Sequence, residues 1–133
     1  MAVLVDSSLL IDRERGSAVF DRFADDEDYA ISVITVSELL HGVHRSAGAT
    51  GIRRRAFVER LLAAFEPLPI TQPVARVHAE IWAGLRSRGD VLAAHDLWIA
   101  ATAVTYDLSL ATRNPRDFSR VRGLRVLTPG RDN

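Results

Sequence analysis

The sequence predicts a single α/β domain over residues 1–133, with a parallel sheet of four or five strands flanked by helices. Short apolar runs rich in valine and isoleucine alternate with longer segments in which apolar residues recur at helical spacing, which is typical of strand–helix units and parallel sheets. A length of 133 residues with 47% apolar content suits one hydrophobic core. We therefore expect one compact unit without a second domain.

The first half of the chain predicts two strands and three helices. The opening run AVLV is short and apolar, and it predicts a buried strand that ends at Asp6. Thr35 is a good N-cap for a helix, and the glycines at 48 and 51 indicate a break after that helix. In order, the predicted elements are a strand at residues 2–5, a short helix at 19–23, a strand at 29–34 and helices at 35–44 and 52–65.

The second half predicts further helices and strands. Thr71 followed by Pro73 indicates a helix start, and Gly89 indicates its end. The apolar stripe of this helix has helical spacing and is expected to face the core; it consists of Val74, Val77, Ile81, Trp82 and Leu85. The predicted elements are an extended segment at 67–70, helices at 72–89 and 97–106, strands at 108–112 and 124–127, and a turn at Asn114-Pro115.

Four carboxylates stand where an apolar run ends and a helix signal begins: Asp6, Glu38, Asp96 and Asp117. The loops beyond the carboxyl ends of parallel strands meet at one edge of the sheet, so one fold could gather all four. Two carboxylates about 4 Å apart repel by roughly 4 kcal/mol at an effective dielectric of about 20, and a proton or a metal must compensate. Since Mg²⁺ prefers oxygen ligands, the pattern predicts a divalent-metal site suited to phosphodiester hydrolysis.

Each carboxylate also has a structural interpretation. The segment from Thr35 to Glu38 matches a capping box, Asp96 and Asp117 suit the positive end of a helix, and Asp6 could form an Asx turn. Four independent caps would have no reason to follow three separate strand-like segments and to begin the most apolar helix. Their joint placement therefore favours a functional site.

Composition excludes several chemistries. The chain has no cysteine, and all 17 basic residues are arginine, so a cysteine nucleophile, thiolate ligands, a P-loop lysine and a Schiff-base lysine are absent. The opening segment lacks a basic region and is interrupted by Asp6, so we expect neither a signal peptide nor a membrane span, and a location in the reducing cytoplasm. The formal net charge is zero, so any attraction for phosphate must be local.

Four segments, LVDSSLLID, TVSELLHG, HDLWIAATAV and LATRNPRDF, resemble the successive motifs of PIN-domain ribonucleases, particularly VapC-type toxins. The resemblance spans nearly the whole chain, and the order and spacing of the motifs are more specific than any one of them. It implies that the four acids bind Mg²⁺ or Mn²⁺ and cleave RNA as an endoribonuclease. It also implies that Ser7 occupies the small hydroxyl position and that Asn114 orients a carboxylate or water near the site.

The same resemblance implies partners. Proteins of this kind form homodimers and bind a cognate VapB-type antitoxin, whose C-terminal segment occupies the acidic cleft. Two arginines beside the predicted cleft, Arg113 and Arg116, are candidates for RNA phosphate contacts, ahead of the run Arg53–Arg55, which is more typical of a solvated helix face. His95 and His41 are interpreted as partly buried or surface histidines rather than catalytic groups or metal ligands.

Alternative functions make different demands on the sequence. A haloacid-dehalogenase-like phosphatase needs a second aspartate where this chain has Ser8, together with a lysine, and a dinucleotide-binding module needs a glycine-rich turn after the first strand. Neither requirement is met. A PIN-like module that binds a partner without turnover remains open, as does a DNA nuclease or an RNA-processing enzyme of the same fold.

Overall fold

The computed structural model describes residues 2–14, 16 and 28–127. The helix predicted at 19–23 lies outside these residues. The described strands are β1 (Ala2–Val5), β2 (Asp28–Ala30), β3 (Ser109–Ala111) and β4 (Val126–Leu127). The described helices are α1 (Ser7–Glu14), α2 (Val33–His44), α3 (Gly48–Ala64), α4 (Gln72–Ser87), α5 (Ala94–Thr105) and α6 (Pro115–Phe118).

The described strands form one parallel sheet in the order β2-β1-β3-β4. Strand β1 lies in the interior of the sheet, where Val3 is paired with Tyr29 on one side and with Ser109 on the other. Parallel strands require crossover connections, and the helices that supply them cover both faces. The predicted α/β class with a four-stranded parallel sheet is confirmed.

The core lies in two layers, one on each face of the sheet. Successive side chains of a strand point to opposite faces, so Val3 and Val5 pack against α1, α2 and α3, whereas Leu4 packs against α5 and α6. Val5 and Leu4 are fully buried. Because β1 is covered on both faces, the residue that follows it is held in a fixed position at the sheet edge.

The start of α2 differs from the prediction. The helix begins at Val33, its N-cap is Ser32, and the Ser32 hydroxyl accepts a hydrogen bond from the Ile34 N–H at 3.0 Å. The predicted strand at 29–34 is therefore too long, and the predicted cap at Thr35 is wrong. Thr35 is fully buried inside the helix, and its hydroxyl makes no hydrogen bond within the described part of the chain. Glu38 consequently lies in the second turn of α2 and is not part of a capping box.

Two further helices differ from their predictions. Helix α1 was not predicted, because Asp6-Ser7-Ser8 is typical of a turn, but the helix begins at Ser7 immediately after β1. Helix α3 begins at Gly48 rather than at residue 52. Gly48 has a φ of 63°, a conformation that glycine adopts without strain, so this glycine forms the entry to the helix instead of a break before it.

Helix α4 begins as predicted. The Thr71 hydroxyl accepts from the Val74 N–H, Pro73 lies in the first turn, and Gly89, with a φ of 72°, follows the end of the helix. The predicted core stripe is wrong at Trp82, which is 51% exposed. Its ring instead lies edge-on to His78, with 5.8 Å between the ring centroids.

The C-terminal elements follow the prediction closely. Strand β3 is buried throughout, and the predicted last strand corresponds to the shorter β4. The expected turn at Asn114-Pro115 opens the single-turn helix α6, where Pro115 occupies the first position. Among the described residues no helix has both the length and the apolar content needed to cross a bilayer.

Candidate acidic site

The four predicted carboxylates meet at the edge formed by the carboxyl ends of β1 and β3. Asp6 directly follows β1, and its backbone N–H donates to the Ala111 carbonyl at the end of β3, at 2.9 Å. Glu38 lies in the second turn of α2, Asp96 in the first turn of α5 and Asp117 in α6. The negative charge of Asp6 acts on both Glu38 and Asp96, and that of Asp117 acts on Asp96. The fold thus gathers the acids from four separate elements.

Asp6 is the most enclosed of the four, with 4% of its surface exposed. Its Oδ2 atom accepts two hydrogen bonds from hydroxyls, one from Ser8 Oγ at 3.0 Å and one from Thr112 Oγ1 at 2.8 Å. Because both hydroxyls bind the same oxygen, they orient the carboxylate and leave Oδ1 to other partners. The Thr112 hydroxyl also accepts from the Asn114 N–H at 3.0 Å, which links Asp6 to the β3–α6 loop.

Glu38 is a half-buried acid beside other acids. Burial raises its pKa, the negative charges of Asp6 and Asp96 raise it further, and His95 together with a hydrogen bond from Ser7 oppose the rise. Its Oε2 atom lies 3.8 Å from His95 Nδ1. Its Oε1 atom is buried and makes no hydrogen bond with any described residue. A buried carboxylate oxygen without a hydrogen-bond partner is costly, so this atom is suited to hold a proton or to bind a cation.

Asp96 has a strongly raised pKa. Burial raises its pKa to about 6, the negative charges of Asp6 and Asp117 contribute to the rise, and His95 opposes it. The first-turn position in α5 favours a negative charge, as the sequence suggested. The pKa rises despite this position because burial, together with the neighbouring acids, outweighs the helix terminus.

A cavity of about 500 Å³ adjoins the acidic edge, and Glu38 is the member of the four acids that lines it within the described residues. Glu38 and His95 lie in its wall together with Ser7 of α1. His95 is 58% exposed at its side chain, so it lies at the mouth of the cavity and is accessible to solvent. The lining residues are Ser7, Ile11, Ser37, Glu38, His41 and His95. A cleft of this size is large enough to admit a phosphate and part of a nucleotide.

The residues present fit a hard divalent cation. The donor set consists of carboxylate oxygens, and it includes Oε1 of Glu38, which has no hydrogen-bond partner among the residues that the structure describes. Positive charge would relieve the repulsion between these carboxylates. Within the described ranges no three histidine, aspartate or glutamate side chains stand close enough to hold one ion directly. Mg²⁺ usually keeps several waters and binds proteins through one or two carboxylates, so a partly hydrated ion suits this spacing.

The two predicted phosphate-binding arginines have different surroundings. Arg113 Nη1 donates to Asp12 Oδ1 of α1 at 2.8 Å, so its guanidinium is committed to an ion pair. Arg116 is exposed on α6 beside Asp117. In the Arg53–Arg55 run, Arg54 is paired with Glu14 at 2.8 Å. The run is therefore partly structural and less suited to RNA than Arg116 is.

Sequence reasoning missed Ser8, Thr112 and Asp12. Ser8 and Thr112 are the two hydroxyls that hold Asp6, and Asp12 is the buried partner of Arg113. A signal existed for Thr112, because a threonine at the end of a buried strand next to the strand carrying Asp6 can reach its carboxylate. Asp12 gave a weaker signal, an acid inside the apolar segment LLID. Ser7 and Asn114 lie at the site, but their roles stay predictions.

Comparison with known proteins identifies the family. The model of the PIN domain matches residues 3–124. The chain is 36% identical to ribonuclease VapC1 of Rickettsia felis over 129 residues, which is 96% of each chain. It is 34% identical to ribonuclease VapC4 of Mycobacterium tuberculosis over 125 residues, covering 94% of this chain and 95% of the relative.

A solved structure agrees with these relatives. A chain of the DNA-bound VapBC structure from Salmonella typhimurium superposes with a TM-score of 0.85 and 27% sequence identity, covering 96% of this chain and 97% of the other. Fold, acidic edge and family match point to the same class of protein. The chain therefore belongs to the PIN-domain family and, within it, to the VapC ribonucleases. Enzymes of this family generally depend on a divalent metal.

Proposed function

We propose that this protein is a metal-dependent endoribonuclease that acts as the toxin of a toxin–antitoxin pair. The observation that carries the proposal is the convergence of Asp6, Glu38, Asp96 and Asp117 at one sheet edge, where burial and the neighbouring negative charges raise the pKa of Glu38 and Asp96. The names of its relatives, ribonucleases of the VapC group, support RNA as the substrate. We assign the four acids as the catalytic and metal-binding residues.

The chain's own residues have distinct parts in this mechanism. Asp6, fixed by two hydroxyls, is a rigid oxygen ligand. Glu38 and Asp96 have raised pKa values in the metal-free protein, so a cation that offsets their charge would be favoured there, and either carboxylate can accept a proton from an attacking water. A bound Mg²⁺ or Mn²⁺ supplies the positive charge that offsets the carboxylates and polarises the phosphodiester. Asp117 completes the negative field and assists in holding the ion.

The remaining residues and partners extend the proposal. Ser7 supports Glu38 through its hydrogen bond, and Asn114 orients groups at the cleft. Arg116 is the candidate for an RNA phosphate contact. A VapB-type antitoxin is the proposed inhibitor, as in the VapBC complexes that the fold resembles, and a homodimer is the proposed assembly. We place the activity in the cytoplasm, where RNA is available.

The test is cleavage of total tRNA and ribosomal RNA by purified, antitoxin-free protein in Mg²⁺ or Mn²⁺, with EDTA as the metal-free control. Asp6→Asn is the site variant. Asp107→Asn is the matched control, because Asp107 precedes β3 at the opposite end of the sheet and its side chain is 88% exposed. Metal-dependent cleavage that Asp6→Asn loses and Asp107→Asn retains is the expected result.

Other outcomes separate the alternatives. Cleavage of single-stranded or duplex DNA in parallel reactions, with RNA left intact, would replace the ribonuclease by a DNA nuclease. Discrete trimming of a precursor RNA would indicate a processing enzyme. Metal-dependent stabilisation without cleavage of any nucleic acid would indicate a partner-binding module.

A further inference from the structure

Arg113, which lies near the C-terminal end of the chain, makes two hydrogen bonds to residues of α1. Its Nη1 atom donates to Asp12 Oδ1 at 2.8 Å, and its backbone N–H donates to Ser8 Oγ at 3.2 Å. Asp12 and Ser8 lie about one helical turn apart, so the two bonds attach the loop between β3 and α6 along the length of α1. The partners are 101 and 105 positions away from Arg113 in the sequence.

The buried carboxylate of Asp12 is stabilised by its ion pair with Arg113. Asp12 is 6% exposed, and its second oxygen, Oδ2, is buried without a hydrogen-bond partner among the described residues. A buried carboxylate needs a counter-charge, and removal of that partner leaves an uncompensated charge in the interior. The guanidinium is the only group shown to supply positive charge to Oδ1 within the described chain. The ion pair is therefore a strong constraint on the loop.

The same contacts reach the acidic site through one hydroxyl. Ser8 Oγ, which accepts from the Arg113 N–H, donates to Asp6 Oδ2. Thr112, the neighbour of Arg113, donates to the same oxygen. Each hydrogen bond that holds Asp6 Oδ2 thus comes from a residue that Arg113 either contacts or adjoins. A shift of the loop away from α1 would move both donors.

We propose that Arg113 is a positioning residue, which clamps the β3–α6 loop onto α1 through Asp12 and so orients the Asp6 carboxylate, instead of a contact for RNA phosphate. The inference rests on the proposed function, because it assigns Arg113 a part in the same site. It also predicts that Asp12, which does not line the cleft, affects the reaction as strongly as Arg113 does.

The experiment compares Arg113→Gln, Arg113→Lys, Asp12→Asn and the double variant Arg113→Gln/Asp12→Asn. Arg125→Gln is the control, because the Arg125 guanidinium bonds Asp107 and Ser109 at the other end of β3, away from the acidic site. We expect Arg113→Gln and Asp12→Asn each to lower kcat and Mn²⁺ affinity by about tenfold or more, since residues that orient ligands typically have effects of this size. KM for RNA and its salt dependence should stay as in the wild type.

Two further results are expected if Arg113 and Asp12 act together as a clamp. The double variant should lose no more kcat than either single variant, because residues that act through each other are not additive. Arg113→Lys should recover part of the activity, since an ammonium retains the charge but not the geometry of the guanidinium. A higher KM with a flatter salt slope in Arg113→Gln and an unaffected Asp12→Asn would overturn the inference in favour of a phosphate contact.

Hydrogen exchange separates this inference from the proposed function. In metal-free protein without RNA, the N–H groups of Arg113 and Asn114 donate to Ser8 Oγ and Thr112 Oγ1. Both should exchange faster in Arg113→Gln and Asp12→Asn but not in Arg125→Gln. Unchanged protection in both clamp variants would overturn the clamp even if the wild type cleaves RNA. Faster exchange in a protein that neither cleaves nor binds metal would keep the clamp and reject the nuclease.

Discussion

At the scale of single residues, the acids of the cleft differ in what surrounds them. Two hydroxyls bind Asp6, whereas Glu38 has a buried oxygen without a hydrogen-bond partner in the described part of the chain, and Asp96 has a pKa of about 6. The same charge is therefore stabilised at one position and destabilised at another. The fold bears an electrostatic cost at Asp96 and Glu38, and stability measurements can detect it.

Asp96→Asn should stabilise the metal-free protein at neutral pH. The folded-state pKa of Asp96 is raised from 3.8 to about 6, so the folded protein holds the proton more tightly than the unfolded chain does between these values. The free energy of unfolding therefore falls as pH rises through this window, and the full penalty remains above it. Because Asp96 is partly exposed, we expect a gain of on the order of 1–2 kcal/mol at pH 7.

Urea unfolding between pH 4 and pH 8 in EDTA measures this effect. The Asp96→Asn curve should be flatter than the wild-type curve, and Asp107→Asn should follow the wild type, because its side chain is 88% exposed. An Asp96→Asn curve with the wild-type slope would show that the pKa of Asp96 is not raised in the folded protein.

Thr112→Val should lower the free energy of unfolding by removing a hydrogen bond to Asp6, while all four acids remain in place. Valine keeps the shape of threonine but lacks the hydroxyl that binds Asp6 Oδ2 and receives the Asn114 N–H. A buried hydrogen bond to a charged group is worth about 1.5–3 kcal/mol, so the free energy of unfolding should fall by about that amount. Thr102→Val is the matched control, since the Thr102 hydroxyl donates to the Trp98 carbonyl of its own helix, away from the acidic site. Equal losses in the two variants, measured by urea unfolding, would argue against a special role for Thr112.

At the scale of secondary-structure elements, the start of α2 decides what Glu38 can do. Thr35 and Glu38 have the spacing of a capping box, and sequence alone could not reject it. The helix begins earlier because Ser32 is also a good cap and its backbone forms a bridge to Leu68, which fixes the entry to the helix. A tertiary contact thus selects between two local signals of similar strength. With the capping role removed, the negative charge of Glu38 needs another explanation.

Ser32→Ala and Thr35→Val should change the free energy of unfolding by different amounts or in opposite directions. Loss of the Ser32 cap should cost about 1 kcal/mol, because the Ile34 N–H loses its acceptor. Thr35→Val removes a fully buried hydroxyl that has no hydrogen-bond partner in the described chain, so stability should be unchanged or higher. Thermal unfolding in EDTA is the measurement. A larger loss in Thr35→Val would restore the capping box.

Elements with one strong signal were predictable, and elements with competing signals were not. Strand β1, the cap of α4 at Thr71 and the buried strand β3 each carry one clear pattern. Helix α1 begins with Ser7-Ser8, which favours a turn in isolation, and only packing of Leu9 and Leu10 against the sheet makes it a helix. Trp82 has the spacing of a core residue, yet the chain provides no layer to cover it within the described residues.

The candidate site was more predictable than the network that supports it. Acids that follow strands are visible in a sequence because the parallel sheet brings its carboxyl ends together. The contacts of Ser8, Asp12 and Thr112 depend on how a helix packs beside a loop about 100 positions away, and no local pattern encodes that distance.

At the scale of the whole molecule, the net charge of zero hides a local excess of negative charge at one edge. A divalent ion that binds there binds only the folded protein, so it should raise stability. At a concentration one hundred times the dissociation constant, the gain is about 2.7 kcal/mol, which corresponds to an increase in Tm of on the order of 8 °C.

Thermal unfolding in Mg²⁺, Mn²⁺ and EDTA measures this stabilisation. Asp6→Asn should lose most of it, whereas Asp107→Asn should keep it, because Asp107 lies at the opposite end of the sheet. Stabilisation that persists in Asp6→Asn would place the ion elsewhere on the molecule.

The chain order of the central strands has a consequence for when the site comes into existence. Strand β1 is the first element of the sheet, but Asp6 receives its hydrogen bond from Thr112, which follows 106 positions later. Contacts so distant in sequence form late, after a large loss of chain entropy. A polypeptide that has not yet docked β3 beside β1 therefore holds the separate acids but no assembled cleft. Activity should begin only when folding is complete, and a chain cut before Thr112 should be inert.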